Sequence, residues 1–226
     1  MNDPQQQLHD ALDALDAAFT PRAELPTSVD GCTYCYGAAD LEALAGPVGR
    51  IPDELVRHVA HEGPDHWADF PGLYRKLAPR ITRLLVADQL INDMTASRFL
   101  AAGWRDWSGA ECTALESVWH AWWRSILHSY PSAGSVTDVL ETLGALNGSL
   151  APWLSTWAQT RTEAADLHLN DALDWWLYGS ELADLRFGFY DEVHATPELL
   201  PWLLSLEDDR IGATQLREVE RIAYGY

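Results

Sequence analysis

The sequence predicts an all-α chain of about ten helices packed as antiparallel pairs. Three observations carry this. Bulky apolar residues recur at helical spacing along most of the 226 residues. Turn and stop signals (Gly-Pro, Ser/Thr caps, Pro at first turns) separate the periodic stretches at short intervals. Strand signals are few, and the one candidate, "RFGFYDEV", reads as a short extended piece with no evident partner.

Taken in order, Leu8, Leu12, Leu15 and Phe19 fall on one face of a first helix. Thr20 to Gly31, with two prolines, reads as a loop. Asp40 to Ala45 forms a short helix that Gly46-Pro47 stops. Asp53 to His61 follows, bounded by Pro52 and Gly63-Pro64. Leu73 to Val86 carries Leu73, Leu77, Ile81, Leu84 and Leu85 on one side, and Pro79 kinks it or sets its first turn. Asp93 to Ala102 is the next helix. The clearest one begins at Ser108, whose spacing to Glu111 is that of a capping box, and it ends before Pro131. Ser135 to Asn147 has Ser135 as its cap and Gly148 as its stop. Leu150 to Gln159, Glu163 to Tyr178, a helix opened by Thr196-Pro197, and Thr214 to Ala223 complete the set.

Composition narrows the class. An apolar fraction of 47% with 11 Trp describes a folded chain of one domain over 1–226, with 103–108 the place where it would subdivide. No apolar run approaches the ~18 residues that span a bilayer, and the first residues lack the basic and apolar regions of a secretory signal. The expectation is a soluble, cytoplasmic protein with no membrane partner. A formal net charge of -19 repels phosphate, which argues against nucleic acid as a partner. The same charge is read either as solvation or as a surface that meets a basic partner.

The segment Leu77-Ala-Pro-Arg-Ile81 is echoed at Leu150-Ala-Pro-Trp-Leu154 and Leu199-Leu-Pro-Trp-Leu203. The last, continued through an acidic turn into an Arg-bearing helix, resembles a HEAT-type unit. The resemblance implies a short superhelix of stacked helix pairs. The alternative is three helices that begin near proline, and the irregular spacing leaves both open.

Chemistry concentrates at Cys32 and Cys35, a C-x-x-C pair before a helix. Three cysteines in a cytosolic chain do not build a disulfide framework. As half of a zinc site the pair needs further soft ligands, and His58, His61 and His66 are the nearest. His58 and His61, at i and i+3 on one helix, complete the candidate set of Cys32, Cys35, His58 and His61. Otherwise the pair is redox-active at a helix N-terminus, or the two cysteines and their tyrosine neighbours simply pack. No cofactor other than zinc is implied. The G-x-S-x-G, Walker, G-x-G-x-x-G and H-E-x-x-H patterns are missing from the sequence.

The tryptophans supply the second candidate. Core packing accounts for most of them, but buried indoles need hydrogen-bond partners, so some are expected to line a groove. Trp104, Arg105, Trp107, Trp123 and Arg124 form the expected surface, because aromatics and Arg anchor protein interfaces. The leading expectation is a non-enzymatic helical scaffold that binds another protein. The alternatives are a Trp-lined small-molecule or catalytic pocket, and a zinc-binding regulatory protein. "CTYCYGAADLEAL" followed by "HWADFPGLYRKLAPRITRLL" also resembles a group of bacterial proteins of unassigned activity, common in actinobacteria, over roughly the first 90 residues. That resemblance implies no residue role.

Overall fold

In a computed structural model the chain is helical, as its periodicity requires. The structure describes residues 3–23, 29–179, 181–206 and 210–225. Eleven α-helices and one two-stranded ribbon are present among them. The chain divides into two compact units, Met1–Trp122 and Trp123–Tyr226. The boundary between them lies inside a helix.

The first unit holds α1 (Pro4–Ala23), α2 (Ala38–Ala45), α3 (Asp53–His61), α4 (Phe70–Val86), α5 (Asn92–Ala101) and the larger part of α6 (Gly109–Leu127). Helix α1 runs past Thr20 to Ala23, so the first part of the expected loop is helical; 24–28 lie outside the described residues. Helix α4 is the hub. Asp69 caps it, accepting from Gly72 N at 2.9 Å, so the helix starts three residues before Leu73 and Pro79 becomes an interior residue. Its apolar face, with Leu77, Ile81 and Leu85, is fully buried.

The basic residues of α4 each clamp a different neighbour. Arg83 pairs with Asp13 and Asp16 of α1, at 2.9 and 2.5 Å. Arg80 donates to Val48 O at 2.7 Å, and also binds Ile51 O and the Asp53 carboxylate. Arg75 pairs with Glu111 at the start of α6. Lys76, the only lysine in the chain, is buried. Its Nζ donates to the carbonyls of Leu44, Ala45 and Gly46 at 2.9, 3.2 and 2.7 Å. These are orphan acceptors at the C-terminal end of α2, where a cation also meets the negative end of the helix dipole. Burial lowers the Lys76 pKa.

Helix α6 begins as its capping box predicts. Ser108 N donates to Glu111 Oε2 at 3.0 Å, and Glu111 N donates to Ser108 Oγ at 3.4 Å. Burial alone would raise the Glu111 pKa, but hydrogen bonds from Arg75 and Ser108 reverse that and hold it at about 2.

The second unit holds the end of α6, then α7 (Val136–Asn147), α8 (Ala151–Gln159), α9 (Glu163–Asp174), α10 (Thr196–Ser205) and α11 (Ala213–Tyr224). Its core is built round Trp157, whose ring centroid lies 5.4 Å from Trp123, 5.4 Å from Trp202 and 6.3 Å from Trp176. Trp157 Nε1 donates to Ala165 O at 3.0 Å, and Trp123 Nε1 to Trp153 O at 2.9 Å. The end of α8 is closed by buried Arg210, which binds the carbonyls of Trp157, Ala158 and Thr160 and the Asp166 carboxylate.

Two local expectations change here. The stretch Glu163–Tyr178 is not one helix: after Asp174 the backbone widens into a π-turn over Trp175–Gly179. The "RFGFYDEV" segment does find a partner strand. It folds back, with β1 (Arg186–Phe187) antiparallel to β2 (Val193–His194) and Phe187 opposite Val193. The three L-x-P-x-L segments occupy different places in their helices. Pro79 is interior to α4, Pro152 sits in the first turn of α8, and Pro201 is interior to α10.

Candidate metal centre

Two short segments of the first unit meet through backbone hydrogen bonds. Gly31 and Trp67 form an isolated antiparallel bridge. Cys32 N donates to His66 O at 2.8 Å and Ala68 N to Asp30 O at 3.0 Å. Glycine is needed at 31, because a Cβ there would stand 2.6 Å from the Trp67 ring.

Each segment then delivers its side chains through a tight turn. Cys35 N and Tyr36 N both donate to Cys32 O, at 3.1 and 3.0 Å, which folds the C-x-x-C back on itself. Gly63-Pro64 opens a 3-10 turn over Pro64–His66, in which His66 N donates to Gly63 O at 3.2 Å. The Tyr36 ring lies 4.5 Å from Trp67 and closes the inner side of the junction.

The outcome is a cluster. One ligand atom from each of Cys32, Cys35 and His66 lies within 4.8 Å of the others, and this is the one such Cys/His/Asp/Glu group among the described residues. Cys35 Sγ stands 3.4 Å from His66 Nδ1. Tetrahedral zinc, with bonds of about 2.3 Å to sulfur and 2.0–2.1 Å to nitrogen, sets ligand atoms roughly 3.5–3.8 Å apart. The three atoms therefore need only small adjustments to share an ion. Two thiols and an imidazole are ligands for a borderline-soft transition metal, not for magnesium or calcium.

Glu62 completes the arrangement from behind. Its Oε1 lies 3.4 Å from His66 Nε2 and also accepts from Gly63 N at 3.1 Å. A carboxylate beside Nε2 favours the tautomer protonated there, which would leave the Nδ1 lone pair on the side of the sulfurs. Hydrogen bonds from the backbone N–H groups of Cys35 and Tyr34, then from the Cys35 thiol, lower the Cys32 pKa. The same interaction with Cys32, then burial, raises that of Cys35. Burial, then the Glu62 charge, pushes the Tyr36 phenol up.

The structure thus brings together two of the four expected ligands, and adds His66. His58 stays on the outer side, with Nε2 3.8 Å from Glu62 Oε2 and its ring against Tyr36. His61 is used elsewhere, its Nε2 accepting from Ile91 N at 3.0 Å where α5 begins. Burial, then the Arg98 charge, lowers the His61 pKa, in keeping with a neutral acceptor. Cys112 is apart from the cluster, its Sγ donating to Trp104 O at 3.3 Å and to Trp107 O at 3.5 Å.

The expected aromatic surface is corrected. Trp104, Trp107 and Trp123 are core residues, 4%, 8% and 0% exposed, and only Arg105 and Arg124 of that set reach solvent. Carbonyls of Ala102 and Trp153 accept from the indole N–H groups of Trp107 and Trp123, which satisfies those two rings inside. The exposed large rings are others, chiefly Tyr34, Trp175, Tyr178 and Tyr190. Sequence reasoning also missed Glu62; its place just before the Gly63-Pro64 turn was the available signal.

Comparison of the chain with protein-family models, with curated proteins and with solved structures returns no match in any of the three. No described helix is long and apolar enough to cross a membrane.

Proposed function

We propose that this protein binds a transition-metal ion, zinc foremost, through Cys32, Cys35 and His66. The observation that carries the reading is the convergence of those three ligand atoms within 4.8 Å. The carboxylate held behind the histidine supports it. Three protein ligands leave one tetrahedral position for water or an outside ligand. The ion ties 30–36 to 62–68 in a region where backbone pairing is only a few hydrogen bonds long. Its binding energy therefore adds to the stability of that junction. We read it as a regulatory metal site that joins the two segments.

The test is metal analysis of the purified full-length chain after incubation with zinc and desalting, with competition against a chromogenic chelator. One zinc per chain is expected for the wild type, and loss of that zinc in Cys35→Ser and His66→Ala. His61→Ala, which leaves the cluster intact, keeps its zinc. A wild type holding well below one zinc per chain, or equal retention by His66→Ala, overturns the reading.

A further inference from the structure

We propose that the metal site has a second, oxidised state, in which a peroxide joins Cys32 to Cys35 as a disulfide and expels the ion. This regulation rests on the metal-binding reading above. The geometry of the turn carries it. Cys35 N donates to Cys32 O at 3.1 Å, so the two residues are the ends of a β-turn. The Cα atoms of such ends lie less than ~7 Å apart, inside the range a disulfide spans. Their sulfur atoms are already neighbours within the cluster and both cysteines are unpaired. A change of side-chain torsion brings them into bonding distance without unmaking the Gly31–Trp67 bridge.

The surroundings favour this outcome over others. Both cysteines are half-buried, so a small oxidant reaches them. Tyr34, between them, is almost fully exposed and covers neither. Cys112 makes hydrogen bonds to carbonyls at the start of α6 and stands outside the cluster, so it does not compete as a partner. Because thiolates are two of the three protein ligands, one oxidation removes both. His66 alone is too weak a site to retain zinc.

The chemistry balances with hydrogen peroxide as oxidant. One thiolate attacks a peroxide oxygen, the O–O bond breaks, and hydroxide leaves to be protonated to water. The resulting sulfenic acid is attacked by the second thiolate. The S–S bond forms as the S–O bond breaks, and the departing hydroxide takes a second proton to give another water. Both sulfurs are oxidised by one electron each, both peroxide oxygens are reduced, and the ion departs with its ligands consumed. A thiol reductant reverses the step by exchange and restores the ligands.

The experiment uses the zinc-loaded full chain, hydrogen peroxide as the probe and a chromogenic chelator as the readout. The expected result is loss of the bound zinc together with a mass lower by two hydrogens. Peptide mapping should place the disulfide at Cys32–Cys35, and dithiothreitol with added zinc should restore the loaded form. Cys112→Ser should respond as the wild type does. Zinc that stays bound under peroxide overturns the proposal and leaves the metal site standing. So does zinc released only with added oxygen on the cysteines. A chain that takes up no zinc before peroxide overturns the metal reading itself, and this regulation with it.

Discussion

Glu62 backs the nitrogen of His66 that faces away from the sulfurs. Its carboxylate lies 3.4 Å from Nε2, while Nδ1 lies 3.4 Å from Cys35 Sγ, so a proton held on Nε2 would leave the Nδ1 lone pair for an ion. An amide in its place could donate to Nε2 as readily as accept from it, so the binding tautomer would lose its support. Glu62→Gln is expected to weaken the zinc binding proposed above by about 10–100-fold, read by chelator competition, while helix content by circular dichroism is unchanged. Residue-scale reasoning from sequence named both cysteines and counted His66 among the nearest histidines, but it completed the set with His58 and His61. His58 and His61 share a helix, which makes them neighbours in spacing. His66 instead reaches the cysteines through a non-local bridge between Gly31 and Trp67, which no periodicity encodes. A glycine before one segment and Gly-Pro before the other were the only local hints.

At the scale of elements, helix α6 shows how a local signal and a distant partner reinforce each other. Ser108 and Glu111 close the capping box, and Arg75 of α4 then pairs with the same carboxylate. The Glu111 pKa, about 2 in the folded state, lies below its ordinary 4.5. Its contribution is therefore fully present above about pH 4.5 and is lost as pH falls from there toward 2, where the folded-state carboxylate also takes up its proton. The share at stake is on the order of 2–3 kcal/mol. Glu111→Gln should be less stable than the wild type at neutral pH, and the gap in urea midpoint should narrow through that acid window. A constant gap across it would assign the stability to packing instead. Most helices were legible because apolar spacing and stop signals agree. The exceptions have physical reasons. The π-turn after Asp174 occupies residues whose pattern still looks helical, and the β1–β2 pair is too short to leave an alternating signature. Thr196, which opens α10, accepts from Leu185 N and donates to Leu182 O, anchoring the ribbon.

For the whole molecule, several of the scarce basic residues serve between elements inside the units, while others, such as Arg50, Arg105 and Arg124, stay exposed. In the first unit Arg75, Lys76, Arg80 and Arg83 are all committed to neighbouring elements, and in the second Arg210 closes α8. Composition revealed the charge but not this division of labour, which depends on which helix face each residue occupies. One result reaches beyond stability. With its single ε-amine turned inward onto three carbonyls at the end of α2, the native protein presents no side-chain primary amine to the outside. Acylating reagents such as N-hydroxysuccinimide esters should leave Lys76 unmodified in the native chain and modify it once urea has opened the first unit. Peptide mass spectrometry then turns that one position into a reporter of unfolding.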